Sequence, residues 1–88
     1  MKVVVIFKDA TDYSRTVTDY MRDFKRQTGH DLDTMDPESP DGVSFCRTYD
    51  IMEFPTIVAI SDEGVLQNQW RGLPLPTISE VSYYVSTI

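Results

Sequence analysis

The sequence predicts an α/β protein: a four-stranded mixed sheet flanked by three helices. Two runs carry most of this expectation. Val3-Val4-Val5-Ile6-Phe7 and Thr56-Ile57-Val58-Ala59-Ile60 are almost unbroken apolar stretches rich in β-branched residues, as expected of strands covered on both faces. The third observation is the order of elements. Stretches with helical spacing of apolar residues follow the first run, precede the second, and close the chain, giving strand, helix, strand, helix, strand, strand, helix. Parallel strands joined by helices take right-handed crossovers, which sets helices on both faces of the sheet. The strands that start at Val3 and Thr56 then belong in its middle.

Taken in order, the first strand gives way to polar residues from Lys8 to Tyr13. Val17, Tyr20, Met21 and Phe24 then recur at i, i+3, i+4 and i+7, one apolar stripe of a helix. Asp12 or Ser14 is suited to cap its start and Gly29 to stop it. Lys25 and Arg26 suit the negative end of the helix dipole. Asp31 to Met35 is a short, acidic candidate edge strand. After the turn-rich Asp36-Pro37-Glu38-Ser39-Pro40-Asp41-Gly42, a short helix over Pro40 to Tyr49 starts with Ser39 as cap and proline at its first position. It should turn Val43, Cys46 and Tyr49 inward. Beyond the second core strand, Asp62-Glu63-Gly64 reads as a tight hairpin turn, and Val65 to Trp70 as an antiparallel strand near an edge. Thr77-Ile78-Ser79-Glu80 is a capping box opening a last helix with Ile78, Val81, Val85 and Ile88 on one stripe.

The 88 residues are expected to form one domain over residues 1–88, with 41% hydrophobic and 25% charged side chains in an ordinary globular balance. A single cysteine leaves no internal disulfide framework and no four-thiolate zinc site. The longest apolar run is too short to span a bilayer, and no signal-peptide pattern opens the sequence, so a cytoplasmic protein is expected. A net charge of −6 argues against binding the phosphate backbone of nucleic acid. Charge is uneven: Lys2, Lys8, Arg15, Arg22, Lys25 and Arg26 lie in the first third, whereas Arg47 and Arg71 are the only basic residues after it.

One stretch is more specific than composition. Tyr49-Asp50-Ile51-Met52-Glu53-Phe54-Pro55-Thr56-Ile57-Val58 resembles the segment of thioredoxin-like proteins in which a helix ends, a loop runs apolar–Pro–Thr, and a hydrophobic strand begins. The resemblance makes Pro55 the family's cis-proline. Asp36-Pro37-Glu38 resembles the family's acidic loop after its second core strand. Asp62-Glu63-Gly64 resembles the hairpin between the last two strands, and Arg71-Gly72 falls where the family has a glycine near its active site. In length the chain is similar to a glutaredoxin, without the extra first strand and helix of thioredoxin itself. The resemblance covers nearly all of it.

The same alignment exposes a departure. In glutaredoxins the first helix opens on Lys, two residues, then Cys-Pro-Tyr-Cys. Here the region reads Lys8-Asp9-Ala10-Thr11-Asp12-Tyr13-Ser14, so Thr11 stands for the nucleophilic cysteine and Ser14 for the resolving one. Single-thiol relatives keep the first cysteine; this chain does not. A thiolate at a helix start is stabilised as an anion, whereas a hydroxyl is far too weak an acid to ionise there. Dithiol exchange needs two sulfurs. Residues Thr11, Asp12, Tyr13 and Ser14 are therefore expected to form a helix cap on a redox-dead site.

The function this implies is non-catalytic: a protein- or peptide-binding adaptor using the cis-proline groove or an open strand edge, with no cofactor, no metal and no enzymatic activity. By the resemblance, Lys8 matches the lysine that glutaredoxins use for a carboxylate of glutathione. Phe54 precedes the cis-proline, where the family offers backbone groups to a peptide. With Pro55, Thr56, Trp70, Arg71 and Gly72 they make the candidate groove. No acid in Arg71-Gly72-Leu73-Pro74-Leu75-Pro76 is available for the γ-glutamyl end of glutathione. The alternative is a glutathione-linked or single-thiol redox protein acting through Cys46, a residue better read as a small buried hydrophobe. His30 near Asp31 and Asp33 fits a helix C-terminus better than a metal site. Trp70 is read either as bordering the groove or, preferably, as closing a small core.

Overall fold

The computed structural model describes residues 2–9 and 11–85. Its elements are β1 (Lys2–Ile6), α1 (Ser14–Thr28), β2 (Asp33–Met35), α2 (Pro40–Tyr49), β3 (Thr56–Ile60), β4 (Leu66–Arg71) and α3 (Ile78–Val85). The four strands form one sheet in the order β2-β1-β3-β4, so the two apolar runs occupy its middle as expected. β1 and β2 are parallel, with Val5 opposite Thr34. β3 runs antiparallel to both β1 and β4, with Val4 opposite Val58 and Ile57 opposite Trp70. The sheet is therefore mixed, its single parallel pair being the one that α1 connects. Ile88, placed on the α3 stripe by the sequence pattern, lies outside the described residues.

Side chains of a strand alternate between faces, and that alternation divides the core in two. Val3, Val5, Phe7, Ile57 and Ala59 meet Val17 and Phe24 of α1 and Val81 of α3. Val4, Ile6, Val58 and Ile60 meet Ile51, with Phe45, Cys46 and Tyr49 of α2 packed around them. Helices thus cover both faces, which is why β1 and β3 need apolar residues at consecutive positions. The edges differ: β2 is exposed at Asp33 and Thr34, and β4 at Leu66 and Gln67.

Several local expectations need correction. No side chain caps α1. Its preceding residue, Tyr13, has φ −89° and ψ −6°, already helical, whereas a capping side chain requires an extended backbone there. The turn into α1 closes through backbone instead: Ser14 N donates to Thr11 O at 3.2 Å and Val17 N to Tyr13 O at 3.1 Å. Asp12 is exposed. Val43 does not face inward but is 43% exposed. The inward stripe of α2 is Gly42, Phe45, Cys46 and Tyr49, at i, i+3, i+4 and i+7; steps of three from Val43 drift off a 3.6-residue period. β2 starts at Asp33 rather than Asp31, and β4 spans Leu66–Arg71 rather than Val65 to Trp70.

Other ends follow the chemistry of the sequence. Gly29, with φ 78°, stops α1 in the left-handed conformation, and its N–H donates to Lys25 O at 2.7 Å. Ser39 Oγ accepts from Gly42 N at 3.0 Å at the start of α2. Thr77 Oγ1 accepts from Glu80 N at 3.2 Å at the start of α3. Gly64, with φ 86°, makes the β3–β4 turn, and Tyr49 Oη donates to its carbonyl at 2.7 Å, tying α2 to that turn.

Tyr20 links α1 to α3: its hydroxyl donates to Thr77 O at 3.5 Å. Burial, and secondarily the charge of Glu80, push the phenol up to about 12. The folded state then holds this proton more tightly than the unfolded chain, whose tyrosines ionise near ~10. The stabilising contribution is full below pH ~10 and is lost as pH rises through about 12. Urea midpoints should therefore fall between these limits, and less steeply in Tyr20→Phe; equal slopes in the two proteins would contradict the assignment.

Candidate functional site

The loop after β1 and the turn into α1 bring Lys8, Thr11 and Tyr13 together. Thr11 Oγ1 donates to Lys8 O at 2.7 Å, and Lys8 N donates to Tyr13 Oη at 3.2 Å. The hydroxyl at the turn is thus engaged by backbone next to it. Lys8 Nζ lies 3.5 Å from Glu38 Oε1 and 5.6 Å from the centre of the Phe54 ring. Both charged side chains of the pair are well exposed, so the ion pair itself adds little stability. The ammonium lies between the 36–39 turn and Phe54. A pocket of about 240 Å³ opens there, lined by Lys8, Asp9, Thr11, Asp36 and Glu38.

The second half of the site is where β3 begins. Pro55 and Thr56 are buried, and Thr56 Oγ1 donates to Glu53 O, closing the loop from within. The peptide bonds Phe54–Pro55 and Leu73–Pro74 are both cis. Gly72 N donates to Pro55 O at 2.8 Å, which joins the loop before β3 to the loop after β4. Gly72 has φ 69°, a left-handed conformation that favours glycine. Met52, 82% exposed, and Leu73, 55% exposed, are large apolar side chains on these joined loops.

Of the residues singled out in the sequence, Lys8, Thr11, Tyr13, Phe54, Pro55, Thr56 and Gly72 form a connected set through these contacts. Ser14 contributes its backbone to the turn, Asp12 is exposed, and Arg71 is the exposed last residue of β4. Trp70 belongs elsewhere: it packs with the α1–α3 layer of the core, its ring 5.5 Å from that of Tyr84 and nearly perpendicular to it. The core-closing reading is the one that fits. Asp9, Asp36 and Glu38 line the Lys8 pocket without having been singled out as site residues, although Asp36 and Glu38 stand in the acidic loop quoted above.

Cys46 lies on α2, half-buried against the other core layer, and is not among the residues lining the Lys8 pocket. Burial pushes its thiol up, opposite to the shift that makes cysteines nucleophilic. Labelling of native protein by an aromatic disulfide reagent should be slow at neutral pH and should accelerate on unfolding in urea. A fast native reaction that levels off below the ordinary thiol range would contradict this.

His30 is exposed, and its N–H donates to Thr28 Oγ1 at 3.1 Å; Asp31 pairs with Lys25 at 2.8 Å and Asp33 with Lys2 at 3.9 Å. Among the described residues, no group of three or more His, Cys, Asp and Glu is placed to hold a metal ion. Among them, too, no helix is long and apolar enough to cross a membrane.

No family model matches the sequence, and no curated protein sequence matches it. Solved structures do. Thioredoxin 1 from the thermophilic eubacterium Thermosipho africanus TCF52B superposes with a TM-score of 0.65 at 15% identity, over 97% of this chain and 90% of that one. A malarial protein superposes with a TM-score of 0.64 at 11% identity, over 94% of this chain and 90% of that one. At such identities the likeness is one of backbone architecture, and over nearly its whole length the chain has the thioredoxin fold.

Proposed function

We propose that this protein is a non-catalytic thioredoxin-like domain that binds a protein partner, through an extended segment, at the groove bounded by Phe54, Pro55 and Gly72. The observation that carries the reading is the chemistry at the turn into α1. Oxygen stands at both positions, Thr11 and Ser14, where the resemblance calls for sulfur, and the only thiol is on α2. The two loops that would bound the groove are joined by the hydrogen bond from Gly72 N to Pro55 O at 2.8 Å. Exposed Met52 and Leu73 offer apolar contact to alternate side chains of an extended peptide. Glutathione is a poor fit: Glu38, 3.5 Å from Lys8 Nζ, competes with any incoming carboxylate. A single free thiol suits the reducing cytoplasm, which we take as the setting.

A peptide selected from a random library for binding tests this reading when titrated into labelled protein and followed by amide NMR. Perturbations should centre on Phe54, Thr56 and Gly72, and Leu73→Asp should weaken binding. Perturbations confined to the β2 or β4 edge, or no binder that Leu73→Asp affects, would overturn it.

A further inference from the structure

A second pocket, of about 340 Å³, lies between β4 and α3 and is lined by Asn68, Trp70, Glu80, Tyr83 and Tyr84. Its walls follow from the periods of the two elements. Asn68 and Trp70 are two apart on a strand and share a face, while Glu80, Tyr83 and Tyr84 stand at i, i+3 and i+4 on a helix. Tyr84 meets both of the other rings at steep angles. Trp70 and Tyr84 meet at 75° with centres 5.5 Å apart, and Tyr83 and Tyr84 at 89° with centres 5.0 Å apart. Asn68 Nδ2 donates to Tyr84 Oη at 3.0 Å and fixes the middle ring. Tyr83 is 67% exposed and forms the outer wall. Among the described residues, no Lys or Arg lines the pocket.

From this arrangement we infer that the β4–α3 pocket binds an alkylated ammonium group, held by the rings of Trp70, Tyr83 and Tyr84 and by the carboxylate of Glu80. The faces of aromatic rings carry negative potential and attract cations, whereas their edges are positive, so the site would use the ring faces that the T-shaped pairs leave uncovered. A quaternary ammonium has no N–H to satisfy, so ring faces and one carboxylate can hold it without directed hydrogen bonds. Glu80 supplies the net negative charge that separates a cation from a neutral group of the same shape. The volume is at the small end for ligand sites, which fits a head group rather than a large molecule. The inference is independent of the Pro55 groove and of any partner there.

Trp70 is the only tryptophan in the chain, so its emission reports the pocket directly. Choline chloride, titrated at constant ionic strength, should change that emission saturably. 3,3-Dimethylbutan-1-ol, its neutral carbon isostere, should not. Nα-acetyl-Nε-trimethyl-lysine amide provides the other source of the same group. Tighter binding of choline would assign the site to a free small cation, and tighter binding of the lysine derivative to a modified side chain; either supports the inference. Tyr83→Ala and Glu80→Gln alter exposed side chains and should weaken the preferred cation by about tenfold each. No saturable response to either cation, an equal response to the isostere, or unchanged affinity in both variants would overturn it.

Discussion

Gly42→Ala is expected to destabilise the protein by about 3 kcal/mol and to disturb the wall of the Lys8 pocket. In an ordinary helix interior the same change stabilises by roughly 1 kcal/mol, because alanine is the better helix former. Here the surroundings reverse the sign. A Cβ on Gly42 would lie 1.8 Å from Asp36 O and 2.8 Å from Asp36 C, both backbone atoms that no rotamer change can remove. The 36–39 turn is fastened against the start of α2. Ser39 N and Ser39 Oγ both reach Asp36 O, at 3.1 and 2.7 Å, and Glu38 N donates to Asp36 Oδ1 at 2.9 Å. Moving Asp36 therefore moves Glu38, the partner of Lys8. Urea unfolding of Gly42→Ala checks the prediction. A midpoint at or above that of the parent would mean that the turn does not pack on α2 as described.

Phe24→Ala should cost about 3–5 kcal/mol, the range for emptying a fully buried aromatic site. Phe24 is 0% exposed and is the largest fully buried side chain described. It stands where α1 meets Val3, Val5 and Ile57, with the Tyr20 ring 6.4 Å away at the rim. At 0.05–0.15 kcal/mol per residue, a chain of this size has a total stability of only roughly 4–13 kcal/mol. The substitution can therefore remove most of it. Circular dichroism against temperature should show a much lower midpoint or no folded baseline. A loss under about 1 kcal/mol would contradict the described core, because even a well-collapsed site retains the transfer cost.

These two residues also mark what the sequence could and could not disclose. Phe24 was legible, since the i, i+3, i+4, i+7 stripe of α1 and the strand runs at Val3 and Thr56 are periodic signals that depend on one element at a time. Ser39-Pro40 disclosed the start of α2 for the same reason. Gly42 was not legible as a buried position, because it has no apolar side chain to contribute to a pattern; Cys46 and Tyr49 do face inward, and Val43 alone is displaced from that face. Asp12 and Ser14 have the right chemistry to cap α1, but the backbone at Tyr13 decides whether a side chain can cap. The candidate site was half legible. Lys8, Phe54, Pro55 and Gly72 stood out through the resemblance. Trp70 was separable from them only once β4 and α3 met, since its neighbours Glu80, Tyr83 and Tyr84 are ten or more residues away.

The proposed function rests on Thr11 and Ser14, hydroxyls at the two positions where the resemblance calls for thiols. The most direct measurement is turbidimetric reduction of insulin disulfides by the purified protein with dithiothreitol as electron source, alongside Cys46→Ala. Dithiol exchange requires a second sulfur to resolve the mixed disulfide, and the chain has one, on α2, with its thiol pushed up by burial. The expected result is a rate equal to dithiothreitol alone for both proteins. A rate far above that background, abolished in Cys46→Ala, would contradict the account.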